Sequence, residues 1–417
     1  MKKERVQAPL AALSALCLTS LVQCAKGEFG DEREISLMDG AAGKGTGTTH
    51  AEGGAPTFDA GTAPMAAVAE AGTGRPSALD AAPSGSPGAV RPGSQDAGSG
   101  RAEAGVDAGQ REASVVRAWR PFGDDSPWNT RVAVSPALAP DSAALIADFA
   151  TSSAWPYVSI NIENYSIPVY WVDATTPVAN VQATLLAGQG FVGGRASVPI
   201  PENALAALGT DRHLCVIDRR TNQEWGFWDI HKTGVGAWSC RVGASADLGG
   251  TGVRPLKDVA VPKTLAHGAR ACGFPLAAGL ITVEEMRAGR IDHVLAFAYP
   301  HIRSHWYTYP ASTAQVTTDQ ALPTRGIPCG GRIQLDPTLN LESLGLSRSG
   351  LVIARALQEY GALVGDFSGA MSLYADASPQ AQAAWRGGLL SMLEVQTKLD
   401  LRKFRVLAMG QLHEDDN

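Results

Sequence analysis

Aromatic side chains are almost missing from the first quarter of this chain. Between Ala25 and Ser114 the only rings are Phe29 and Phe58, and all nine Trp and all eight Tyr stand at or after Trp119. Gly, Ala, Ser, Asp, Pro and Thr fill the gap. Such a segment has too little apolar surface to offset an ordering cost of ~1–2 kcal/mol per residue, which excludes a packed core there. The triplet Asp-Ala-Gly recurs at 59–61, 96–98 and 107–109 without any apolar position for neighbours to bury, so it is low complexity and not a repeat fold. Residues 24–116 are therefore expected to form a disordered tether. As a Gly-rich coil it would span ~50 Å root-mean-square.

Positive charge is also scarce. The formal net charge is −6 and no Lys/Arg block or basic stripe occurs, which argues against a nucleic-acid partner. No apolar run beyond the N-terminus reaches the ~20 residues of a membrane-spanning helix. There is no C-x-x-C pair and no H-x-x-x-H on a predicted helix, so neither a metal nor another cofactor is expected. No G-x-G-x-x-G follows a predicted strand, and neither a phosphate loop nor G-x-S-x-G is present, which sets aside nucleotide enzymes and the common serine hydrolases.

What is there begins at the N-terminus. Lys2, Lys3 and Arg5 precede the apolar run APLAALSALCLTSLV, the pattern of a secretory signal over residues 1–23. Leu21-Val22-Gln23-Cys24 resembles a bacterial lipoprotein cleavage box, although Gln23 stands where that box prefers a small residue. The resemblance implies lipidation of Cys24, a membrane partner through that lipid, and an extracytoplasmic location on the cell envelope, at the outer membrane or facing the periplasm. Cys17 belongs to the signal. Cys215, Cys240, Cys272 and Cys329 remain in an exported chain, and the expectation is two disulfides, or one disulfide with two buried thiols.

Residues 117–417 read as one globular, β-rich domain. Asp141 to Ala154 has the spacing of a helix, with Leu145, Ile146 and Phe149 on one face. Tyr157 to Tyr165 alternates with period two, and Ser166 to Val172 continues as a second strand. His213–Asp218 and Glu224–His231 read as a hairpin, and the Gly- and Ser-rich stretch 232–258 as a long loop. Thr282 and Glu285 form a capping box for a short helix that Gly289 stops. Asp292 to Tyr299 and Arg303 to Tyr309 read as strands, Ser347 to Tyr360 as an amphipathic helix, 362–366 with 371–374 as a hairpin-like return, and 379–396 as a last helix. Many short strands without a βαβ rhythm predict a mainly β, α+β fold: an antiparallel sandwich or jelly-roll-like core with a few peripheral helices.

Several phrases, taken together, resemble a group of exported bacterial proteins to which no reaction is attached. They are Ser126-Pro-Trp-Asn129, Asp211-Arg-His213 with Val216-Ile-Asp218, Gly273-Phe-Pro with Ala278-Gly-Leu280, Gly289-Arg-Ile-Asp-His293, and Ala356-Leu-Gln-Glu-Tyr-Gly361 leading to Asp366. Phe367 stands where that group usually has Asn. The resemblance implies one intact extracytoplasmic domain.

His213 and His293 each open an apolar strand, where an imidazole can serve as general acid or base near neutral pH. Asp211, Asp218, Glu224, Asp229, Asp292 and Asp366 are the carboxylates from which a glycosidase pair can be drawn. The catalytic candidates are His213, His293, Asp211 and Asp366. Arg303, His305, Tyr307 and Tyr309, read as one strand face, together with Trp128, suit sugar stacking and the pairing of Arg with a uronate carboxylate. The expectation is a domain that cleaves an extracellular polysaccharide, as a lyase or glycoside hydrolase. The alternative is a non-catalytic carbohydrate-binding or envelope-structural module. On the cleaving reading His213, His293 and at least one of Asp211, Asp229 and Asp366 should converge on one cleft, and scattered positions would demote it.

Overall fold

The computed structural model describes residues 119–256, 263–315 and 325–415, all within one compact unit. The signal sequence, Cys24 and the tether lie outside the described residues.

The fold is mainly β with a few helices, as expected. One six-stranded sheet has the order β1-β13-β9-β12-β11-β14: Ser159–Asn161 (β1), Ser372–Tyr374 (β13), Leu295–Tyr299 (β9), Ala362–Phe367 (β12), Arg332–Leu335 (β11) and Phe404–Val406 (β14). A second sheet has the order β2-β5-β6-β8-β3-β4: Val169–Val172, Leu214–Asp218, Gln223–Trp228, Ala237–Asp247, Val178–Ala187 and Arg195–Pro199; His231–Gly234 (β7) also pairs with β8. Trp306–Thr308 (β10) and Leu412–Glu414 (β15) form a separate antiparallel ribbon. Both large sheets are mixed, since β1/β13, β9/β12, β2/β5 and β3/β8 run parallel.

The second sheet is buried on both faces at β5, while β3 and β4 alternate buried with exposed residues and β7 is exposed. Along β5 every residue is buried, and alternation sends Cys215 and Ile217 to one core and Leu214 and Val216 to another. The first core surrounds the six-stranded sheet and reaches β2 and β5 of the second; within it Phe149, Phe297 and Tyr299 meet edge-on or tilted at 5.4–5.9 Å. The second lies beneath the β3–β4 hairpin, where Phe191 packs on Phe227. Burying one such aromatic contributes about 1.5–3 kcal/mol.

Several elements depart from the sequence reading. The strand expected from Glu224 to His231 stops at Trp228, because Asp229 adopts φ +51°, which breaks the alternation and starts β7 afresh. The stretch expected as a loop over 232–258 contains β8, the longest strand described. Its small residues signalled a loop but serve close packing: a Cβ on Gly243 would meet the Phe191 ring at 2.4 Å. Strands β12 and β13 are not a hairpin, since β9 lies between them. The last helix is broken at Gly388, φ +89°, into Pro379–Ala384 and Met392–Lys398. Gly188-Gln-Gly-Phe-Val-Gly193 does follow a strand, β3, but it turns into β4 instead of opening a helix, so no phosphate cradle forms. The helices at Ser142–Ser152 and Arg348–Glu359 stand where expected, and the Thr282–Glu285 capping box closes in both directions.

Of the four cysteines, Cys272 and Cys329 are bonded, with Cα atoms 5.4 Å apart, and Cys215 and Cys240 are buried thiols. This is the second of the two arrangements expected.

Candidate functional site

The seam between the large sheets gathers a cluster of charged side chains. The second sheet supplies Asp211 and His213, immediately before β5. Their corner is held by two hydrogen bonds, Asp229 N to Asp211 O at 2.8 Å and Ile230 N to Arg212 O at 3.2 Å. Both turning residues, Arg212 (φ +42°) and Asp229 (φ +51°), are left-handed without being glycine. Each such residue stores about 1–3 kcal/mol, a strain that concentrates at functional sites.

The first sheet supplies Asp366 and Tyr374. Asp366 follows a register shift in β12 opposite β9, the kind of bulge that re-aims a side chain. The Phe367 amide donates to its Oδ1 at 2.9 Å.

Arg270 enters from the segment that follows the helix Lys263–Ala266. It is 2% exposed, its guanidinium carbon lies 4.4 Å from the centre of the Tyr374 ring, and its Nη2 donates to Leu276 O at 3.1 Å. The segment is clamped by Cys272 N donating to Gly365 O at 3.2 Å and by the disulfide to Cys329. Gly365 leaves room for the arginine: a Cβ there would meet Arg270 Cδ at 2.9 Å.

Behind this group Glu224 of β6 is 1% exposed. The Leu276 and Ala277 amides donate to its two oxygens at 2.7 and 3.2 Å. Burial still raises its pKa, against those amides and the nearby Arg254 and Arg270 charges. Burial also lowers Arg254 to about 10 and raises the Cys215 thiol well above its ordinary value, which removes Cys215 as a nucleophile.

Charge states in the cluster are displaced from ordinary values. Asp366 is half-buried with its carboxyl enclosed. Desolvation and the neighbouring Asp211 push it up to about 7, with Arg270 opposing. His213 is 3% exposed, and desolvation lowers it to about 4, Arg270 adding to the fall and Asp211 opposing it. At neutral pH the site thus holds a neutral imidazole and a carboxyl poised to hold or release a proton, the pairing that acid–base catalysis needs. Among the described residues, neither His213 ring nitrogen meets a well-formed hydrogen bond, nor do Arg270 Nε and Nη1.

Of the four catalytic candidates, the fold brings together Asp211, His213 and Asp366. His293 stands apart, so the convergence expected of a cleaving enzyme is met only in part, by one histidine and two carboxylates. Its Nε2 lies 2.7 Å from Glu285 Oε1, both groups being 2% exposed, and its Nδ1 is 2.9 Å from Val294 O. Burial disfavours its charged form, but Glu285 outweighs that and raises its pKa. Because Glu285 also closes the capping box, His293 is tied into a structural ion pair. Asp229 bonds His231 at 2.7 Å on the surface.

The expected sugar-binding face does not assemble as one strand. Only Trp306–Thr308 is extended, because His305 is left-handed at φ +66°. Tyr307 is buried and stacked on His413 at 5.2 Å, Arg303 covers Trp306, His305 Nδ1 is 3.0 Å from Asp415 O, and Tyr309 is exposed. Trp128 is 1% exposed and packs edge-on to Phe274, so it is core. Sequence reasoning missed Arg270, Glu224's buried setting and Tyr374. No motif marks Arg270, since its partners lie on strands about 50 to 100 residues away in sequence.

Among the described residues no group of three or more His, Cys, Asp or Glu could hold a metal ion. A surface groove of about 730 Å³ beside the helix Ser142–Ser152 and β14 carries Arg402 and Arg405 but no acid, and shares no residue with the cluster. Comparisons with protein-family models, curated proteins and solved structures found no match.

Proposed function

We propose that this chain is an exported, lipid-anchored protein whose β-rich domain cleaves an extracellular polysaccharide by acid–base chemistry at the sheet seam. Asp366 is the general acid: its carboxyl, near 7, keeps a proton to give to the glycosidic oxygen as the bond to the anomeric carbon breaks. Asp211 is the partner carboxylate that takes a proton from the attacking water. His213, neutral above about 4, hydrogen-bonds the sugar without adding charge. The observation that carries the reading is that the fold brings Asp211, His213 and Asp366 together around the buried Arg270, with Asp366 raised by burial and by Asp211.

The test is a panel of neutral and uronic polysaccharides, read for new reducing ends and for unsaturated products. The expected result is reducing ends from at least one polymer, lost in Asp366→Asn and in Asp211→Asn. Unsaturated products would instead assign a lyase. Binding without any product would favour the non-catalytic module. That reading draws support from an exposed platform in which Arg219 lies 3.9 Å from the Trp171 ring centre beside Trp119. The anchor is tested separately: Cys24→Ala should move the protein from membrane to soluble fractions, and retention on the membrane would refute lipidation there.

A further inference from the structure

We infer that the seam selects acidic saccharides, and that Arg270 is the residue that receives the substrate's carboxylate. The inference rests on reading the same cleft as the catalytic one, and it concerns which sugars enter.

Arginine is charged at any physiological pH and needs compensation when buried. Arg270 is 2% exposed, yet among the described residues only Nη2 has a hydrogen bond, to a neutral carbonyl at 3.1 Å. Glu224, which feels the Arg270 charge, already accepts two backbone amides. Asp366 and Asp211 act on the cluster through space, but neither forms an ion pair with Arg270 within contact distance. Donors on Nε and Nη1 are thus left unmet, and a buried unmet donor costs about 1–3 kcal/mol. Beside them His213 has a backbone contact to Ala269 and no well-formed hydrogen bond to either ring nitrogen.

These features are built into the fold. Tyr374 supports the guanidinium from one side, Gly365 makes space for its stem, and the Cys272–Cys329 bond holds its segment. A rigid cation with spare donors suits a planar carboxylate. The half-buried acids Asp211 and Asp366 suit hydroxyls and the glycosidic oxygen. A hexuronate unit carries both kinds of group on one ring, and a neutral hexose carries only the second.

The experiment uses the mature protein and titrates oligogalacturonate and oligoglucuronate against neutral oligosaccharides of matched length, by calorimetry at low salt. The expected result is at least tenfold tighter binding of one uronate series. Arg270→Gln should remove that preference, and Arg270→Lys should restore part of it through charge alone. Equal binding of uronate and neutral oligosaccharides by the unaltered protein would overturn the inference without any variant, and so would a folded Arg270→Gln protein that keeps the preference. Cleavage of neutral polymers alone would sink this inference while leaving the acid–base reading intact. Uronate selection without cleavage of any polymer would do the reverse.

Discussion

Replacing Asp366 by Asn should stabilise the protein while abolishing its activity. In the unfolded chain this carboxyl ionises near 3.8, and in the folded chain near 7. Between these values the folded state holds a proton that the unfolded state has released, so stability falls as pH rises through the window. Three units of displacement amount to about 4 kcal/mol at about pH 8 and roughly 1.5 kcal/mol at about pH 5. Asp366 keeps some solvent access, which screens the effect, so a gain of about 2 kcal/mol at the higher pH is the working expectation. His213 acts in the opposite sense. It protonates near 6.5 when unfolded and near 4 when folded, so its contribution is present above 6.5 and is lost as pH falls through 4. In the native protein the two slopes largely cancel. Asp366→Asn leaves His213 alone, so the variant should gain at high pH and lose stability toward acid. Urea unfolding at about pH 8 and about pH 5, with an unchanged dependence on denaturant, measures this directly. A variant less stable than the parent at high pH, or a gain of equal size at both pH values, would refute the burial of an ionisable carboxyl at this position.

The remaining predictions probe the surroundings of the site. Gly365→Ala should push Arg270 off Tyr374, lowering turnover at least tenfold for a stability loss of about 1–3 kcal/mol, as read by kinetics beside thermal melting. Glu285→Gln should destabilise the fold by about 2–4 kcal/mol, most strongly below 6.5, the ordinary value of His293. The raised His293 pKa means that this contribution is lost as pH rises through the folded value, so the parent and variant should converge at alkaline pH. Replacing Cys272 and Cys329 by Ala removes a bridge that closes 57 residues, which the chain-entropy argument values at about 4 kcal/mol, and should lower the urea midpoint without a change in the far-ultraviolet spectrum.

Local chemistry made some of this legible beforehand. The Thr282–Glu285 capping box, the amphipathic helix that begins at Ser347 and the β5–β6 turn depend on residues within a few positions of each other, and they formed where expected. Strand β8 did not declare itself, because Gly243, Ala244 and Ala246 look like loop residues until Phe191 is seen to fill the space a side chain on Gly243 would need. The Arg303–Tyr309 face failed for a similar reason: alternation along the sequence cannot reveal that His305 turns the backbone over.

Composition and short-range pattern alone determined that bulky apolar mass belongs to the C-terminal part and that its fold is rich in short strands. They also supplied Asp211, His213 and Asp366 as candidates. Only the tertiary structure decided that these three meet while His293 is paired elsewhere. It alone set an unmarked arginine beneath them and displaced their proton affinities. Burial and through-space charge produce those effects, and both depend on neighbours that folding brings from distant parts of the chain.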